Sequence, residues 1–151
     1  MVKNKHKHFN PDEHEVNVKM AKVKKSSHCK HNINYHIVFI PKYRKEVLVG
    51  EKLKEILATI IKGKCEDLKC ELLALEIMPD HVHIFVKANP VASPHWIVQQ
   101  FKGYSPHQLR KEFPTLKSRL PTLWTRSYYC ESVGHISEDT IKKYIEDQKG
   151  K

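Results

Sequence analysis

The sequence predicts an α+β fold: an antiparallel sheet with helices packed on it in a split-βαβ, ferredoxin-like arrangement, preceded by a flexible N-terminal tail. Three observations carry this. Apolar and other residues alternate over 32–39, as in a strand with one face buried. Over 51–66 apolar residues recur at steps of three and four, as on a helix that lays one side on a sheet. Two further apolar runs, 70–78 and 82–86, are broken by Pro79-Asp80, as in an antiparallel strand pair.

Taken in order, residues 1–28 are rich in Lys and His, poor in large apolar residues, and contain the loop-like Phe9-Asn10-Pro11-Asp12. They read as a mobile tail that either adds nonspecific polyanion affinity or does nothing. The domain proper is expected over 29–151. Its first strand sets Ile33, Tyr35, Ile37 and Phe39 against Asn34, His36 and Val38. Pro41 stops it, and Lys42, Tyr43, Arg44 and Lys45 form a basic turn. The first helix presents Leu53, Ile56, Leu57, Ile60 and Ile61 on one side. After the strand pair, two helices are expected over 94–102 and 106–113, separated by Gly103 and capped by Ser93 and Ser105. A strand over 128–133 follows. A mobile last helix over about 137–148 begins after Ser137, with Glu138 and Asp139 in its first turn.

Composition narrows the function. The chain has 151 residues, enough for one domain with a real core. No apolar stretch approaches the ~18 residues that cross a bilayer, and the start lacks the apolar region of a secretory signal, so a cytoplasmic protein with no membrane partner is expected. Cys29, Cys65, Cys70 and Cys130 show no paired spacing and read as free thiols. With 27 Lys and Arg against 17 Asp and Glu, the net charge of +10 makes nucleic acid the leading partner. The charge is uneven: over 101–126, Lys102, Arg110, Lys111, Lys117, Arg119 and Arg126 face a single acid, Glu112, with Phe101, Tyr104, Phe113 and Trp124 interleaved. Either this is a groove in which cations track phosphates and aromatics stack on unpaired bases, or the aromatics belong to the core of a helical hairpin.

Two spots carry chemistry. In His81-Val82-His83, strand geometry sends both imidazoles to one face, with Cα atoms ~6.7 Å apart, and Val82, Ile84 and Val86 to the other. Such a pair either converges on a divalent ion or sits on a wet sheet face that tolerates histidine. Asp80 either orients His81 or is simply part of a turn. On the last helix Ile141, Tyr144, Ile145 and Gln148 share one stripe. If that stripe crosses the histidine face, Gln148 offers an amide oxygen as a third ligand and Tyr144 a phenol beside the ion; otherwise it is an ordinary packed helix. Tyr128 and Tyr129 are rival nucleophiles, but one should face the core and neither has a ligand candidate four residues on.

These residues resemble the HUH-type single-tyrosine transposases of insertion sequences. His81-Val82-His83 is similar to that family's histidine motif and Tyr144-Ile145-Glu146-Asp147-Gln148 to its catalytic-tyrosine segment. Asn34-Tyr35-His36-Ile37-Val38-Phe39 with Pro41-Lys42-Tyr43-Arg44, then Met78-Pro79-Asp80, Phe101-Lys102-Gly103-Tyr104-Ser105 and Ser132-Val133-Gly134 match in order and spacing. The resemblance implies the HUH/Rep-like form of the sheet and a homodimer that excises and inserts an element as single-stranded DNA, recognising hairpins near its ends. Tyr144 would attack a backbone phosphate and stay on the 5′ side while a 3′ hydroxyl leaves. His81, His83 and Gln148 would hold the ion, with the tyrosine helix hinged near Gly134 and docking in trans. Ligand softness alone favours manganese or zinc; the resemblance implies magnesium or manganese. Lys42, Arg44, Lys102, Arg110 and Arg126 are assigned to phosphates and Tyr104 to a base. Two alternatives are a noncatalytic single-strand-binding module on the same fold and a host-serving HUH nuclease. No GxxxxGK loop is present, in keeping with chemistry that exchanges one phosphodiester for another.

Overall fold

The structure, a computed structural model, describes residues 24–25, 30–134, 139 and 143. Strands β1 (Lys24–Lys25) and β2 (Lys30–His31) pair as a short hairpin, Lys24 opposite His31. Paired backbone therefore begins inside the segment that composition assigned to the tail; the rest of 1–28 lies outside the described residues, as do most of the last helix, Tyr144 and Gln148.

The domain runs β3 (Ile33–Phe39), α1 (Glu51–Asp67), β4 (Glu71–Met78), β5 (His81–Ala88), α2 (Pro94–Glu112), α3 (Pro114–Arg119) and β6 (Tyr129–Val133). The larger sheet has the order β4-β5-β3-β6 with every neighbouring pair antiparallel. Strands β3 and β4, joined through α1, thus run parallel with β5 between them, and β6 returns on the far side of β3: the split-βαβ topology expected.

The alternation in β3 and β5 divides the sheet into two faces. Ile37, Phe39, Val82, Ile84 and Val86 are buried beneath Leu57 and Ile61 of α1 and Ile97 and Phe101 of α2 in one apolar core. The opposite face carries His36, His81, His83 and Phe85. Positions on it follow from register: His36 lies opposite both Phe85 and Glu131, and Val38 opposite both His83 and Tyr129.

The two helices expected over 94–113 are one. Ser93 caps it as expected, accepting from the Trp96 amide, but Ser105 is not a cap. Its hydroxyl is fully buried inside α2, donates to the Phe101 carbonyl at 2.7 Å and accepts from Trp124 Nε1 at 2.8 Å. Ile97, Phe101, Ser105 and Leu109 repeat at steps of four straight through Gly103 and Pro106, so continuous burial of one side overrides the local breaking tendency of Gly and Pro. The six-residue α3, begun by Pro114, was too short to read from spacing. Among the described residues no helix is long and apolar enough to cross a membrane, and Cys65, Cys70 and Cys130 are free thiols.

Candidate active site

Pro79-Asp80 joins β4 to β5 in a two-residue turn, with Met78 opposite His81, so both histidines project from the start of a central strand. The turn is tied down from outside the sheet: the Leu48 amide donates to the Pro79 carbonyl at 3.0 Å, and Arg44 Nε to Asp80 Oδ2 at 2.9 Å. Arg44 and Tyr43 both hold the left-handed backbone region (φ 52° and 59°), strained for non-glycine residues.

The rings of His81 and His83 lie edge to face, centroids 4.8 Å apart. Asp80 Oδ1 is 2.7 Å from His81 Nδ1. An ionised carboxylate only accepts, so Nδ1 carries the hydrogen, and in the neutral ring the lone pair is on Nε2. Burial opposes ionisation of Asp80, but the hydrogen bonds from His81 and Arg44 outweigh it and hold the carboxyl below its ordinary value. His83 is buried, and that burial, with His81 and His36 beside it, pushes its imidazole down to about 4. Both rings therefore stand side by side on one face of the sheet, each with Nδ1 already engaged.

Two participants were missed in the sequence. His36 Nε2 lies 3.1 Å from His83 Nδ1, and His36 Nδ1 lies 3.3 Å from Glu131 Oε1. Tyr129 donates its hydroxyl to Glu131 Oε2 at 2.7 Å. Burial lowers His36, against the pull of Glu131; the Tyr129 hydroxyl and then His36 hold Glu131 below the usual carboxylate range. The only signal for His36 was its alternation parity, which places it on the polar face of β3; its pairing with β5 is long-range and not readable locally.

The proposed strand groove is largely reassigned. Lys102 Nζ donates to the carbonyls of Thr125, Arg126 and Ser127 at 2.6, 3.0 and 3.3 Å, so its three hydrogens are directed into the fold rather than at a phosphate. Arg110 Nη2 likewise donates to the Leu120 and Pro121 carbonyls. Together they clamp segment 120–127 onto α2 around a cavity of about 410 Å³. Phe101 and Trp124 are core, and Phe113 packs against it. Tyr104 is exposed, but under Lys64 of α1, 4.2 Å from the ring centroid, on the helical side of the sheet. Lys42 sits at 5.6 Å over Tyr43, and Arg126 is exposed. Of the rival tyrosines, Tyr128 packs against the core, with its hydroxyl 3.1 Å from His95 Nδ1, whereas Tyr129 is on the histidine face. Among the described residues no group of three His, Cys, Asp or Glu side chains could hold a metal.

The family described as "Transposase IS200 like" matches residues 29–148. The chain is 34% identical over 131 residues to the ISDra2 transposase TnpA of Deinococcus radiodurans, covering 85% of this chain and 93% of that protein. It is 33% identical over 135 residues to the transposase for insertion sequence element IS200 of Salmonella typhimurium, covering 86% and 88%. The crystal structure of a Deinococcus radiodurans transposase superposes with a TM-score of 0.67 at 33% identity, over 83% of this chain and 97% of that one. A REP-associated tyrosine transposase bound to a REP hairpin shares the fold, with a TM-score of 0.53 at 13% identity, over 79% and 68%.

Proposed function

The chain belongs to the family of IS200-like transposases, and from that premise we propose that it cleaves and rejoins single-stranded DNA at the ends of an insertion sequence through a 5′-phosphotyrosine on Tyr144. The observation that carries this reading is the pair His81 and His83: neighbouring rings on one rigid strand, each with Nδ1 held, leaving Nε2 of each for a ligand bond.

This donor set fits a divalent cation. Imidazoles oriented by a hydrogen bond to the other ring nitrogen are the usual form of a histidine metal ligand, and the low value of His83 keeps it unprotonated at neutral pH. Gln148, within the span matched by the family, is the proposed third ligand. A bound magnesium or manganese ion would neutralise charge on the scissile phosphate and on the departing 3′ oxygen. The protein's own part is positional. Asp80 and the Arg44 turn hold His81, the central strand fixes the spacing to His83, and Tyr144 supplies the oxygen that bonds to phosphorus as the bond to the 3′ oxygen breaks. Rejoining reverses this with a new 3′ hydroxyl, so no nucleotide cofactor is required. Family likeness extends the proposal to hairpin-bearing DNA ends and to a homodimer in which Tyr144 of one protomer completes the histidine site of the other.

The test is cleavage of end-labelled single-stranded hairpin DNAs with magnesium or manganese. Cut products with a polymerase-extendable 3′ hydroxyl, and no cutting of the same sequence as a perfect duplex, are expected. Tight binding without cutting of any substrate would favour the noncatalytic module.

A further inference from the structure

Asp80 touches His81 directly, whereas His83 Nδ1 meets His36, whose other ring nitrogen reaches the Glu131 carboxylate. We propose that Glu131, acting through His36, sets the tautomer of His83 so that its Nε2 carries the lone pair turned toward the metal position. This rests on the metal-site reading above and makes His36 and Glu131 positioning residues.

The polarity of the chain follows from its end. A carboxylate only accepts, so His36 Nδ1, 3.3 Å from Glu131 Oε1, carries the hydrogen. A neutral imidazole has one such hydrogen, which leaves a lone pair on His36 Nε2. That atom is 3.1 Å from His83 Nδ1, which must then be the donor. The lone pair of His83 is left on Nε2. Reversing the hydrogens would set a lone pair of His36 against the carboxylate. Tyr129, donating at 2.7 Å to the second oxygen, keeps Glu131 an acceptor.

Ring geometry agrees. The planes of His36 and His83 differ by 5° with ring centroids 5.3 Å apart, a spacing compatible with an edge-to-edge N–H···N bond, and Phe85 stacks on His36 at 4.5 Å and 8°, fixing its plane. The relay crosses the sheet from β6 through β3 to β5, so a residue of the edge strand governs a ring on a central one. Through Asp80 on one side and Glu131 on the other, both histidines carry hydrogen on Nδ1.

The experiment is long-range ¹H–¹⁵N NMR of histidine-labelled, metal-free full chain, paired with Mn²⁺ titration. In the wild type His83 should be the Nδ1–H form. In His36→Phe, and in Glu131→Ala at the half-exposed edge position, it should shift toward Nε2–H, with Mn²⁺ affinity falling about 10-fold while His81 keeps its tautomer. His36→Gln, which returns an acceptor oxygen, should restore the Nδ1–H form. Should His36→Phe fail to fold, Glu131→Ala alone decides. An Nε2–H His83 in the wild type, or an unchanged tautomer in the folded variants, overturns the relay. If His83 shows the expected tautomer and loses it in Glu131→Ala, yet the wild type binds no Mn²⁺, the relay stands and the metal reading falls.

Discussion

Asp80 holds His81 through a 2.7 Å contact from Oδ1 to Nδ1, and its other oxygen is taken by Arg44 at 2.9 Å. The carboxylate therefore links the strained basic turn to the first metal-ligand candidate. Asp80→Ala should weaken Mn²⁺ binding on the order of 10-fold, the usual effect of removing a carboxylate behind a ligating histidine. Arg44→Ala should have a smaller effect in the same direction. Titration calorimetry checks both, and equal affinity for Asp80→Ala and wild type would show that the turn is only structural.

Lys102 and Arg126 separate fold from DNA contact. The Lys102 ammonium is directed at three carbonyls, so Lys102→Ala should destabilise the protein by about 1–3 kcal/mol while the salt dependence of DNA binding keeps its slope. Arg126, exposed on the same segment, should do the reverse. Arg126→Ala is expected to leave the melting temperature unchanged and to reduce the salt slope by about 1. Denaturant unfolding beside binding isotherms at several salt concentrations distinguishes them.

Ser105 supports two buried groups at once, the Phe101 carbonyl and the Trp124 indole N–H. Ser105→Ala strands that N–H and should cost about 1–3 kcal/mol of stability, although alanine is the better helix former. A neutral or stabilising result would mean that the indole finds another acceptor.

The sheet was legible because each strand states its own period: Ile33, Tyr35, Ile37 and Phe39 announce a half-buried strand without help from the rest of the chain. The histidine pair was legible for the same reason, since two residues along a strand share a face. What depended on partners distant in sequence was not. Gly103 and Pro106 looked like punctuation, yet the side of α2 running through Ser105 is buried and the helix continues. Lys102 looked like a phosphate contact because its carbonyl partners lie some two dozen residues ahead. His36 and Glu131, 95 residues apart, meet only through the pairing of β3 with β6.

The central claim is that Tyr144 forms a covalent bond to DNA at the His81 and His83 site. It is tested most directly by incubating the protein with labelled single-stranded hairpin DNA and Mn²⁺, isolating any denaturant-resistant adduct, and mapping the modified peptide by mass spectrometry. The expected result is an adduct on Tyr144 that needs metal, is lost in Tyr144→Phe and His81→Ala, and persists in Tyr129→Phe. An adduct mapped to Tyr129, or one that survives Tyr144→Phe, would contradict it.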